Sequence, residues 1–103
     1  MNRERWYLCS LLLVCGSVTP LLADDSSSTA TAAGQASFSR VCAACHGATG
    51  EGGKAPPIVP LVYPQDQVTV IVRSGQGEMP PIARAALSDD ELAAIVAYLA
   101  QIK

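Results

Sequence analysis

Apolar and polar positions divide this chain into stretches with different periods. Leu8 to Val14 is an apolar centre behind a basic start at Arg3 and Arg5. Further on, Phe38, Val41 and Cys45 recur at i, i+3 and i+7, which is one face of a helix. The spacing predicts a helix from about Thr31 to Cys45. Gly34 lies inside it, and a helical glycine costs about 1 kcal/mol against alanine, so a close packing contact is expected there. The final stretch is the most regular: Leu92, Ile95, Leu99 and Ile102 make one apolar stripe suited to core packing. Ser88-Asp89-Asp90-Glu91 opens that helix as a capping box, and Leu87 and Leu92 fit a hydrophobic staple. Asp89 and Asp90 oppose the positive end of its dipole, and Lys103 suits the other end.

Between these helices the pattern breaks. Gly47 to Pro60 is a loop with three further glycines, then Pro56-Pro57. From Pro64 to Ser74 the signals conflict. Val68-Thr69-Val70-Ile71-Val72 is β-branched throughout, as in a strand. Pro64 suits a helix N1 position, and Gly75 suits a helix end. Local reasoning leaves both readings open. Asp24 to Ala33 is polar and small, with nothing to bury, and is read as a flexible tether.

With 103 residues the chain builds one small domain, which calls for a staple or a cofactor. Residues 1–23 read as a secretory signal ending near Ala23. Two other readings compete: an uncleaved anchor, broken by Gly16, Ser17 and Pro20, and a lipid-modified Cys15. After cleavage five basic residues face eight acidic ones, a balance of −3. That argues against nucleic acid and anionic lipid, and permits a partner with a neutral or basic face. Cleavage also removes Cys9 and Cys15, which leaves two cysteines and no multi-bridge scaffold. The organisation expected is a signal peptide (1–23), a tether (24–33) and a folded domain (34–103).

Those two cysteines stand in Cys42-Ala43-Ala44-Cys45-His46, a C-x-x-C-H run and the signature of covalent haem attachment. Thiols at i and i+3 project to one side of a helical turn, where they can add to neighbouring vinyl groups of one macrocycle. His46 then offers an imidazole nitrogen to iron. A zinc site wants four Cys or His ligands, and only three remain. A thioredoxin-type C-x-x-C needs a βαβ framework that is missing here. A plain disulfide would leave His46 idle.

Met79 is the one methionine outside the signal. Lone methionines usually fill core gaps, but this one lies in the polar Gly75–Pro81 loop, a better place for presenting a sixth ligand to iron. A thioether raises the haem potential relative to a nitrogen ligand. A ligating histidine usually donates its other N–H to a carbonyl, and Pro56 and Pro57 offer rigid ones, or else a plain turn. Arg73 is either a propionate partner or a solvated helix-end charge. Tyr63 is either a propionate partner or core.

Gly34-x-x-x-Phe38-x-x-x-Cys42-x-x-Cys45-His46, the Pro56-Pro57 loop, Gly77-x-Met79-Pro80-Pro81 and a closing helix with Tyr98 together resemble a small class I cytochrome c of the bacterial periplasmic type. The resemblance spans about Gly34 to Lys103. It implies an all-α fold of three to four helices wrapped around one covalent haem c. It implies that Gly34 and Phe38 pack on Tyr98, and that Val68–Val72 is helical. It also implies a monomeric periplasmic electron carrier, not an enzyme, with no membrane span after cleavage. Its redox partners would be a dehydrogenase, an oxidase or a cytochrome complex, reached past a small apolar patch around Ala43, Ala44, Gly47 and Pro80–Ile82. The competing class is a haem enzyme or gas sensor with an open sixth position, which would usually need a distal base. No second histidine is present to supply one.

Overall fold

The computed structural model describes residues 16–17 and 25–103. The segment read as a signal therefore lies almost wholly outside the described residues. Four helices follow in order: α1 (Asp25–Val41), α2 (Ala43–His46), α3 (Gln65–Ser74) and α4 (Asp89–Gln101). Among the described residues there is no strand, only an isolated antiparallel bridge between Gln76 and Met79. No helix among them is long and apolar enough to cross a membrane.

Helix α4 starts where its caps say it must. Glu91 N donates to Ser88 Oγ at 3.1 Å, and Ser88 N donates to Glu91 Oε2 at 2.8 Å, closing the capping box. Leu87 and Leu92, the two staple positions, are both buried. With Phe38, Val72, Ile95, Tyr98 and Leu99 they form the core.

The main packing pair is α1 on α4. Gly34 makes the close approach possible: a Cβ there would run into the Ala94 carbonyl and stand 2.9 Å from Tyr98 Cβ. One turn on, the Phe38 and Tyr98 rings meet at 5.9 Å between centroids, tilted by 51°. Such an aromatic pair contributes about 1 kcal/mol beyond its buried area. The helical glycine is thus explained by the approach it allows.

Two boundaries differ from expectation. Helix α1 begins at Asp25, so residues 25–33, read as a tether, are helical. Thr31 Oγ1 donates to Ser27 O within the helix at 2.9 Å, and Gln101 Nε2 of α4 donates to Thr31 Oγ1 at 3.0 Å. The helix also breaks at Cys42, where ψ is −35° and φ −111°, before resuming as α2.

The conflicted segment is helical, as α3. Pro64 takes the N-cap position in extended geometry rather than N1, and Gly75 ends the helix at φ +76°. Tertiary packing overrides β-propensity here. Val72 is buried, Val68 and Ile71 are half-buried, and Thr69 Oγ1 donates to Gln65 O at 2.8 Å. Val70 is left facing out, 63% exposed.

Candidate haem site

Beside the core lies a cavity of about 1300 Å³. That exceeds the usual small-ligand range of about 300–1,000 Å³ and suits a macrocycle. Its wall is drawn from the end of α1, α2, the loop after His46, α3, the loop before α4, and α4 itself. Cys42, Cys45, His46, Pro56, Pro57, Tyr63 and Met79 all line it. Seven of the eight residues singled out in the sequence are thereby brought to one surface.

Cys42 and Cys45 are free thiols, the first half-buried and the second exposed. Burial pushes the Cys42 thiol up to about 11, against a weaker opposing pull from Arg40.

His46 closes α2. Its N–H bonds to Cys42 O at 3.0 Å, which continues the helical turn. Its Nδ1 lies 3.0 Å from Pro56 O. A carbonyl only accepts, so Nδ1 carries the proton and Nε2 keeps a lone pair for a metal. The loop that brings Pro56 back is laced to the helix by main-chain bonds. Gly52 N donates to His46 O at 2.8 Å, and Ala55 N to Cys45 O at 2.9 Å. The Glu51 carboxylate accepts from Thr49 N at 2.7 Å and from its Oγ1 at 2.8 Å. Hydrogen bonds from main-chain amides, with that of the Thr49 hydroxyl, hold Glu51 below the ordinary carboxylate value.

Met79 is half-buried and packs against the core from the loop between α3 and α4. A tight turn presents it. Gln76 N donates to Met79 O at 3.0 Å, and Met79 N to Gln76 O at 2.9 Å. Gly75 and Gly77 supply the positive φ values, +76° and +57°. A thioether on such a turn is a soft donor, and it borders the same cavity as the imidazole.

Arg73 departs from the propionate reading: it is not among the residues lining the cavity. Its guanidinium bonds elsewhere. Nη1 donates to Ile82 O at 3.1 Å and Leu87 O at 2.8 Å, and Nη2 pairs with Asp89 at 2.7 Å. Its Nε is buried without a partner. The solvated-charge alternative fails as well, since the side chain is only 14% exposed. Tyr63 does line the cavity, at 48% exposure, so the core alternative is not met.

Sequence reasoning passed over part of the apolar wall: Ile58 and Leu61 both line the cavity. The available signal was an unusual number of aliphatic side chains in a Gly- and Pro-rich loop. It also passed over Lys54, a cation on the same lining.

The residues present fit a haem. Two thiols at i and i+3, an imidazole with its Nε2 free and a thioether all border one apolar cavity of sufficient size. Comparison with known proteins agrees. The family model described as cytochrome c oxidase, cbb3-type, subunit III matches residues 29–99. Among solved structures, cytochrome cL from the marine methylotrophic bacterium Methylophaga aminisulfidivorans MPT is similar at 26% identity and a TM-score of 0.57. The match covers 70% of this chain and 54% of that one. Cytochrome cL from Hyphomicrobium denitrificans shares the fold at 22% identity and a TM-score of 0.55, covering 71% of this chain and 47% of that one. The chain thus spans about half the length of these structures. No curated protein sequence matches it. With the family model covering well over half its length, the chain belongs to this cytochrome c family and is a small, all-α c-type cytochrome with covalently bound haem c.

Proposed function

We propose that the protein is a periplasmic one-electron carrier whose haem is attached through Cys42 and Cys45 and ligated by His46 and Met79. The observation that carries this reading is the meeting of those four side chains on one cavity wall. When bound, haem c supplies a one-electron iron couple. The protein's residues do the rest. The Pro56 carbonyl holds the Nδ1 proton of His46, which fixes the ring and raises the basicity of Nε2. The Gln76–Met79 turn presents a soft sulfur and favours the reduced iron, which raises the potential. The aliphatic wall excludes water and lowers the local dielectric. With His46 and Met79 both holding the iron, no open site would remain for a substrate, and the protein would serve as a relay rather than a catalyst.

The partners are redox proteins: a dehydrogenase that donates, and an oxidase or cytochrome complex that accepts. A mature charge of −3, reckoned for residues 24–103, supports docking faces that are neutral or basic. Residues 1–23 support export, and the carrier acts as a monomer.

An absorption spectrum of the oxidised holoprotein tests the ligand set. A weak far-red sulfur-to-iron charge-transfer band is expected, with no binding of carbon monoxide to the reduced form. Absence of the band together with ready carbon monoxide binding would favour an open-site haem enzyme or gas sensor. Alanine at both cysteines should abolish covalent haem, read as loss of haem stain after denaturing electrophoresis.

A further inference from the structure

The loop that carries Met79 stands on two feet, and both rest on the last turn of α3. At its start, Gly75 N donates to Ile71 O at 2.8 Å. At its far end, Ile82 N donates to Val72 O at 2.8 Å, and Ile82 O accepts from Arg73 Nη1 at 3.1 Å. Ile71, Val72 and Arg73 are consecutive, so residues 75–82 form an arc pinned at both ends to one place. Met79 sits inside that arc.

Arg73 does more than close it. The same Nη1 reaches Leu87 O at 2.8 Å, and Nη2 pairs with Asp89 at 2.7 Å. Asp89 also pairs with Arg84 at 3.0 Å. One guanidinium thus joins α3, the far foot of the arc and the first residue of α4. The side chain is 14% exposed, so its bonds to the two carbonyls are sheltered from solvent, whereas Asp89, 62% exposed, leaves the ion pair screened as at a surface. The joint depends on the planar fork of arginine, which can serve two carbonyls and a carboxylate at once.

We propose that Arg73 is a positioning residue for the sixth iron ligand: it pins the arc 75–82 so that the Met79 sulfur stays at the metal. The proposal rests on the His46/Met79 reading above. Its physical basis is effective concentration. A thioether on an arc fastened at both feet is held near the iron, whereas one on a longer, looser segment spends more time away. Lengthening the loop alone has a small effect, because closure entropy grows slowly with length. The charge-assisted bonds to Ile82 and Leu87 therefore carry most of it.

Arg40 provides the comparison. It approaches the same junction from α1, with Nη1 on Ala86 O at 3.0 Å and Nη2 on Glu91 at 2.8 Å. It makes no bond to Ile82, and its side chain is 52% exposed. It braces the start of α4 without touching the arc.

The test uses imidazole as a competitor for the sixth position of the oxidised holoprotein. Wild type is first required to show the sulfur-to-iron band. Without that band, the ligand reading itself fails and this proposal falls with it. Given the band, Arg73→Gln should raise the apparent affinity for imidazole about tenfold or more, the size expected for losing hydrogen bonds to a charged group. Arg73→Lys keeps the charge beside Asp89 but not the fork, and should retain most of that rise. Asp89→Asn leaves both carbonyl bonds in place and should give a rise of only about threefold. Arg40→Gln should lower the denaturation midpoint while leaving imidazole affinity at the wild-type value. The proposal is overturned if Arg73→Gln binds imidazole as wild type does, or if Arg40→Gln raises the affinity equally. Should Arg73→Gln yield no holoprotein, Arg73→Lys and Asp89→Asn decide: wild-type affinity in both overturns it.

Discussion

Two loops border the cavity, and they are fastened by different means. The loop after His46 is laced to α2 and to itself by main-chain bonds: Gly52 N to His46 O, Ala55 N to Cys45 O, and Ile58 N to Gly50 O. The loop around Met79 has a two-residue bridge and one main-chain bond at its far end, Ile82 N to Val72 O, and beyond these it relies on the Arg73 side chain to hold that end. Main-chain lacing is short and cooperative, and most single substitutions leave it intact. A side-chain pin fails when one residue changes. The histidine side is therefore built as a permanent fixture, and the methionine side as the part that yields first.

The largest expected effect removes the comparison altogether. Gly34→Val forces α1 off α4, because a side chain there meets the Ala94 carbonyl. Overpacking at this crossing should destabilise the holoprotein by about 3 kcal/mol, read by denaturant unfolding, with both loops lost together.

Next is a substitution that separates the two sides. Gly75 has φ +76°, and a Cβ there would stand 2.7 Å from Met79 O and 2.9 Å from Pro81 Cδ. Gly75→Val should cost about 2 kcal/mol and abolish the sulfur-to-iron band while covalent haem and helical circular dichroism persist. Gly52→Ala, at φ +104° in the histidine loop, should cost about 1 kcal/mol and leave that band in place.

A smaller effect probes the support behind the methionine loop. Ser88→Ala removes the hydroxyl that accepts from Glu91 N, and should cost about 1 kcal/mol in the unfolding free energy.

The smallest expected effect is on acid stability. Asp89 is held below its ordinary 3.8 by Arg73 first and Arg84 next. Glu91 and Glu51 are held below 4.5, mainly by hydrogen bonds from main-chain amides. In each case the unfolded chain binds protons more readily than the folded one. The stabilisation is therefore fully present above these ordinary values and is lost as pH falls through the depressed ones. Denaturant midpoints should be level from neutrality to about pH 5 and decline below about 4.5. Asp89→Asn should flatten part of that decline, on the methionine side, and Glu51→Gln a separate part on the histidine side.

What could be read without coordinates follows the range of the interactions involved. The capping box, the staple, the C-x-x-C-H turn and the Pro56 carbonyl are local, within a few residues or one loop, and local chemistry is written in order along a chain. The Gly34–Tyr98 contact was reachable only through family resemblance, since nothing near Gly34 points to α4. Val68–Val72 prefers a strand by local reasoning and reads as helix only through the family resemblance, because the cavity and core on its inner side make it a helix. Residues 25–33 looked featureless. Their helix is a continuation of α1 tied to Gln101, some seventy residues away. Arg73 stays open between two readings in the sequence for the same reason: a charge in a last helical turn can face several ways, and the register of α3 against Ile82, Leu87 and Asp89 is a tertiary fact.

The cavity has a consequence at the scale of the cell. A space of about 1300 Å³ lies against a core of seven buried hydrophobic residues among those described. Such a domain completes its interior with a group that it does not encode, so whatever binds the folded form sets how much of it survives proteolysis. Its steady-state amount answers to two supply lines, translation and porphyrin synthesis. A shortage of iron would then thin the pool of carrier protein itself, and electron flow would fall without any change in transcription.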